Sequence, residues 1–195
     1  MSTQALAHED AQGHDDPASK LKHLRINRFG LWLFFISDGL LFGIMATVRF
    51  AIADTHVDEH IDQNLGLLIT GILLLSSLTA YRAEVAFTHG NVRRGQLMFI
   101  ATIFLGLIFF IGVIVEWSIA EFSVDEPYGT AFFSMTGMHA THVFTGILFL
   151  MMGLLVSTRG KFDGGGKWAP QAIVMYWHFV DVVWVFFYPI LYLLQ

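Results

Sequence analysis

QLMFIATIFLGLIFFIGVIVEW, Gln96–Trp117, holds one ionisable side chain, Glu116, and that only near its far end. A helix rises about 1.5 Å per residue, so these 22 residues reach about 33 Å, enough to cross a hydrocarbon core of about 30 Å. A near-continuous apolar run of that length reads as a transmembrane span. Working outward, four further stretches meet the same test: roughly 29–53, 64–88, 130–157 and 170–194. The expected fold is therefore all-α, an integral membrane bundle of five transmembrane helices over residues 28–195. A polar tail, residues 1–27, precedes it.

Composition agrees. The chain is 55% hydrophobic and 15% aromatic, with 14% charged residues, far from the balance of a soluble domain. The connecting segments are too short to hold a second domain. A formal net charge of −5 therefore carries no implication for nucleic acid. Cysteine is absent, which removes disulfides, thiolate metal sites and cysteine nucleophiles from consideration. The first apolar stretch begins only after 28 residues and is about twice the length of a signal-peptide core, so it is expected to be retained as a helix.

Lysine and arginine orient the bundle. Lys20, Lys22, Arg25 and Arg28 precede the first span, Arg82, Arg93 and Arg94 flank the second loop, and Arg159, Lys161 and Lys167 flank the fourth. Ten of eleven basic residues thus fall on one side, Arg49 being the exception. The other two loops carry Asp54, Asp58, Glu59 and Asp62, then Glu121, Asp125 and Glu126. The positive-inside rule predicts a cytoplasmic N-terminus and a C-terminus outside.

The tail has His8, Glu9, Asp10, His14, Asp15 and Asp16 with little to bury, and is expected to be disordered and solvated rather than a metal site. Gly164-Gly165-Gly166 lacks the downstream Gly-Lys-Ser/Thr of a phosphate loop and reads as a flexible connector.

The informative residues are ionisable groups inside the spans. A charge at the bilayer centre costs roughly 2.5–3.5 kcal/mol on insertion scales, so such groups turn toward protein or water. They are Asp38 in the first span, Glu116 in the third, His139 and His142 in the fourth, and His178 and Asp181 in the fifth. Three-residue spacing puts His139 with His142, and His178 with Asp181, on common helix faces. The fourth span's stripe continues through Met135, Gly146, Phe149 and Gly153, its glycines admitting a close neighbour. The fifth offers Val185 and Tyr188 on the His178 stripe, with Trp177 and Trp184 beside it. A contact between the two stripes is expected to let imidazoles and carboxylates satisfy one another.

This polar set admits three readings: a metal or haem site, a proton relay, and a hydrogen-bond network that holds helices in register. The metal reading is disfavoured because a carboxylate-bridged di-iron bundle needs Glu-x-x-His pairs, and the chain contains none. Pump-like His and Asp chains keep the relay open. The network is the preferred reading, with no catalytic residue and no metal ligand assigned.

Four segments resemble a known family. Tyr176-Trp177-His178-Phe179-Val180-Asp181-Val182-Val183-Trp184 is similar to the signature of the last helix of cytochrome c oxidase subunit III. Gly137-Met138-His139-Ala140-Thr141-His142-Val143 resembles that family's Gly-x-His-x-x-His-Val motif. Ser37-Asp38 with Leu40-Leu41-Phe42, and Glu116-Trp117, match in order. The resemblance spans about residues 28–194 and points to the five-helix bacterial form of the family.

It implies a subunit of a haem-copper terminal oxidase in the bacterial cytoplasmic (inner) membrane, with no cofactor of its own. Haem and copper are expected in partner subunits: catalytic subunit I, with subunit II in the same complex. The resemblance further implies stabilisation of the catalytic subunit, bound phospholipid, with Arg82 and Arg159 as candidate headgroup contacts, and support of proton uptake. The chain departs from the family in one place: Ser37-Asp38 stands where cytochrome c oxidases usually carry Ser-Glu. Asp is more typical of quinol oxidases, so a quinol oxidase third subunit, or an accessory subunit of a nitric oxide reductase, stays open. A small proton-coupled transporter is the alternative of another class. It is disfavoured because the sequence shows neither an inverted repeat nor a helix broken at its middle.

Overall fold

The structure is a computed structural model, and it describes residues 17–53, 62–160, 162 and 168–194. Among these there are five long helices and no strand. They are α1 (Pro17–Ala53), α2 (Gln63–Thr88), α3 (Val92–Ile119), α4 (Pro127–Thr158) and α5 (Trp168–Tyr188), the last continuing as a π-helical turn over Pro189–Leu193. All five are long and apolar enough to cross a membrane. The acidic tail at 1–16, most of the first loop, including Asp54, Asp58 and Glu59, and the triple glycine lie outside the described residues.

One boundary differs from expectation. The segment 17–27, assigned to a disordered tail, is helical and continuous with the first span. Proline suits a first helical turn, and Ala18, Lys20, Leu21, Lys22, Leu24 and Arg25 are good helix formers. Extending an existing helix avoids the cost of nucleation, so modest propensity suffices. The unit formed by residues up to Gly39 is itself exposed along much of its length, with Phe29, Trp32 and Ile36 outward and Trp32 edge-on to Phe35.

In the second unit, Leu40–Gln195, helices α2 to α5 close a ring. α2 packs on α3, α3 on α4, α4 on α5, and α5 on α2. The α2–α3 turn is three residues long. Its Gly90 takes φ +75°, the left-handed conformation that ends the helix while Asn91 N–H returns to Ala86 O at 2.9 Å. Asp62 caps α2 through the N–H groups of Asn64 and Leu65, and Asn91 caps α3 through Arg94 N–H.

Buried positions repeat at steps of three and four: Ile69, Leu73, Ser76, Ala80, Ala83 and Phe87 on α2, and Gly95, Phe99, Thr102, Gly106, Phe109, Val113 and Glu116 on α3. The outward residues are Leu, Ile and Phe, such as Leu67, Leu68, Phe104 and Ile111. Large apolar side chains thus stand on both sides: inside they share the packing with hydroxyls and glycines, and outside they meet the hydrocarbon, which offers no hydrophobic drive for association.

Candidate functional site

The interior is organised by tryptophans. Trp177 of α5 is wedged between Gly106 of α3 and Gly146 of α4; a Cβ added at either glycine would lie 2.6 or 2.9 Å from its ring. Its indole N–H donates to Ser76 Oγ on α2 at 3.0 Å. One heptad on, Trp184 donates to Thr70 Oγ1, also on α2, at 2.9 Å. Trp117 repeats the device between α3 and α4, donating to Thr136 Oγ1 at 3.0 Å. Thr79 and Thr102 join α2 to α3 at 2.8 Å. Each buried donor in hydrocarbon must find an acceptor inside the protein, and these hydroxyls supply it. They were not singled out from sequence, although Thr70 and Ser76 lie six apart on α2, nearly matching the seven between Trp177 and Trp184.

The sequence-derived residues distribute among separate places. His178 and Asp181 are together, Nδ1 lying 3.9 Å from Oδ2, and Ser77 Oγ of α2 is 2.7 Å from the same Nδ1. Asp181 is buried, and neither of its oxygens has a hydrogen-bond partner among the described residues. Glu116 is buried at the other end of the bundle, where its Oε2 accepts the Tyr192 hydroxyl at 2.7 Å. Tyr128 donates to Leu191 O at 2.7 Å and Gln63 Nε2 to Tyr192 O at 3.2 Å. The π-helical turn, closed by Leu194 N–H to Pro189 O, is thereby tied to α2, α3 and α4.

His139 and His142 part company. His139 is fully buried in an aromatic box of Phe109, Trp184 and Phe187, with ring centroids 5.8, 4.8 and 6.4 Å away. Neither of its nitrogens has a hydrogen-bond partner among the described residues. His142 turns Nδ1 to Met138 O of its own helix at 2.8 Å and packs on Phe42 at 4.9 Å. The two stripes of α4 and α5 do meet, but through Trp177 in the Gly146 notch and Tyr176 O–H on His142 O, 3.3 Å away. They do not meet through imidazole on carboxylate. The aromatic bulk of α5 fills the space that the sequence reading reserved for ionisable pairs.

Asp38 lies in the first unit, on α1. Arg49, the basic residue out of pattern, is buried in α1 with its guanidinium 5.6 Å from the Tyr128 ring centroid. Arg82 and Arg159 are exposed, near the end of α2 and at the C-cap of α4. No three His, Cys, Asp or Glu side chains converge on a common point among the described residues. Across the α2/α5 and α3/α4 seams an indole N–H donates to a hydroxyl, across α2/α3 two threonine hydroxyls meet, and across α4/α5 a tyrosine hydroxyl donates to a backbone carbonyl.

Residues 9–195 match the family model described as cytochrome c oxidase subunit III. The chain is 36% identical over 141 residues to cytochrome c oxidase subunit 3 of Corynebacterium diphtheriae, covering 70% of this chain and 69% of that protein. It is 32% identical over 194 residues to the same subunit of Rattus norvegicus, covering 93% and 73%. With that of Coturnix japonica it shares 38% over 127 residues, 65% of this chain and 49% of the other.

Proposed function

Because the chain belongs to the cytochrome c oxidase subunit III family, we propose that it is a non-catalytic core subunit of a respiratory haem-copper oxidase in a bacterial cytoplasmic membrane. Its role is to hold the catalytic subunit in its working form during oxygen reduction. The family match over almost the whole chain carries this reading. The interior supports it: the hydroxyl and glycine seams build a rigid scaffold. Haem and copper belong to the partner subunits I and II. Phospholipid headgroups are assigned to the exposed Arg82 and Arg159, and proton uptake by the complex is supported from the side on which these arginines lie. The N-terminus is cytoplasmic, following the basic loops.

The test is purification. The chain, extracted in mild detergent, is expected to copurify with haem-bearing subunits showing an oxidase visible spectrum. A chain that elutes without any haem-bearing partner and transports protons in vesicles overturns the proposal. Labels at Asp125 are expected to react from outside, and labels at Arg93 from the cytoplasm; the reverse pattern overturns the orientation. A quinol oxidase is the second reading, favoured by Ser37-Asp38 in place of Ser-Glu. Assaying the purified complex with cytochrome c and with quinol separates the two.

A further inference from the structure

Asp181 is enclosed by the α2/α5 seam itself. Trp177, four residues before it, and Trp184, three after, both reach across to α2, and His178 makes a third crossing through Ser77. All of these contacts lie within the second unit, Leu40–Gln195. The carboxyl group is buried, and neither oxygen has a hydrogen-bond partner among the described residues. The donors around it are committed elsewhere. The two indole N–H groups go to Ser76 and Thr70, and the Ser77 hydroxyl is engaged by His178 Nδ1 at 2.7 Å.

Charge balance is equally restricted. Among the described residues His178 is the one basic side chain in ion-pair range of Asp181, its Nδ1 lying 3.9 Å from Oδ2. On α2, Glu84 stands seven residues beyond Ser77, about 10 Å along the axis, and Arg82 is exposed. On α4, His139 is enclosed by its aromatic box and His142 turns to Met138 O. Glu116 and Arg49 are engaged with Tyr192 and Tyr128 toward the other end of the bundle.

An ionised Asp181 beside a neutral His178 is therefore a buried charge with neither donor nor counter-ion, the costliest state open to the seam. Two states avoid it. In one the proton is on Asp181 and both side chains are neutral; in the other it is on His178 and the two form an ion pair. Each contains the same single proton, and each leaves the seam without net charge. We propose that Asp181 and His178 constitute an intramembrane proton-binding site, the pair holding one proton between them. Ser77 serves both states, because its hydroxyl donates to Nδ1 of a neutral imidazole and accepts from Nδ1–H of an imidazolium. The ligand is the proton alone, and its loss sets an uncompensated negative charge between α2 and α5. The site follows from α2 and α5 crossing a membrane and is independent of which complex the chain joins.

Infrared absorption at neutral pH tests the site, on the full chain purified in detergent with whatever subunits accompany it. Subtracting the spectrum of Asp181→Asn from that of the wild type is expected to leave either a carboxylic-acid C=O band or a carboxylate band together with an imidazolium band that His178→Gln also removes. The first result puts the proton on Asp181 and the second on His178. A carboxylate band without an imidazolium signal, as a carboxylate solvated by internal water would give, overturns the inference. Asp181→Ser provides the same subtraction independently. With the imidazole gone in His178→Gln, the proton has Asp181 alone to occupy, so a carboxylic-acid band is expected in that variant and its loss in His178→Gln combined with Asp181→Asn. Absence of that band from His178→Gln overturns the inference as well.

Discussion

The α2/α5 seam and the aromatic box around His139 are equally buried and treat polar atoms in opposite ways. Along the seam, Trp177 and Trp184 each carry one donor, and Ser76 and Thr70 meet it. In the box, His139 carries two nitrogens and Phe109, Trp184 and Phe187 offer neither a donor nor an acceptor to them. The contrast separates two reasons for placing a polar group inside a membrane protein. A matched donor and acceptor fix the register of two helices. An imidazole without a hydrogen bond destabilises the fold and fixes nothing, so its retention calls for a purpose other than stability.

Removing a wedge gives the largest effect expected from this contrast. Trp177→Ala empties the notch between Gly106 and Gly146 and removes the N–H that Ser76 Oγ accepts, and it should cost about 3–5 kcal/mol, read as a lowered thermal midpoint of the detergent-solubilised complex. Filling the notch instead, with Gly146→Val, drives a side chain into the Trp177 ring; a loss of about 1–3 kcal/mol is expected in the same assay. If Gly146→Val left the midpoint unchanged, the close approach of α4 and α5 would be disproved.

The sign of the next pair sharpens the comparison. Thr70→Val leaves the Trp184 N–H without an acceptor and should destabilise by about 1–3 kcal/mol. His139→Leu strands no partner among the described residues and should stay within about 1 kcal/mol of wild type, the lost ring contacts offsetting the relieved burial. Should His139→Leu prove as damaging to stability as Thr70→Val, the two regions follow the same rule after all. Slow turnover in a stable His139→Leu complex would instead identify a functional task for the imidazole. The smallest effect is expected at Asp38. Asp38→Asn keeps the shape and most hydrogen-bonding capacity and should leave turnover near wild type, whereas Asp38→Leu should weaken retention of the chain. An assembled but slow, pH-sensitive Asp38→Asn enzyme would make that carboxylate a proton carrier.

Much of the fold was legible because apolar length is a one-dimensional property. The five spans, the pairing of His178 with Asp181 three residues on, and the admission of a neighbour at Gly146 all follow from spacing along one helix. Partner choice across helices does not. Whether His139 faces Asp181 or Trp184 depends on the rotation of two helices about their axes, and the bulk of Trp177 in its double notch sets that rotation. Ser76, Ser77, Thr70 and Thr136 were passed over because hydroxyls are common in such helices, and their meaning lies in which indole or imidazole arrives opposite. The start of α1 at Pro17 was missed for another reason: polarity was read as disorder, although a polar segment joined to a long helix needs little to continue it.

The ring closed by α5 has a consequence for how the protein is made. α5 leaves the ribosome after α2, α3 and α4, yet it brings the two indoles that Ser76 and Thr70 receive and the ring that fills the hollow between Gly106 and Gly146. Until it inserts, Gly106 and Gly146 lack the ring that packs against them, and Ser76 and Thr70 have no indole N–H to accept. A nascent chain halted before Trp168 is therefore an unfinished object that a membrane protease or chaperone can distinguish from a finished one, and biosynthesis of the bundle has a single point of completion.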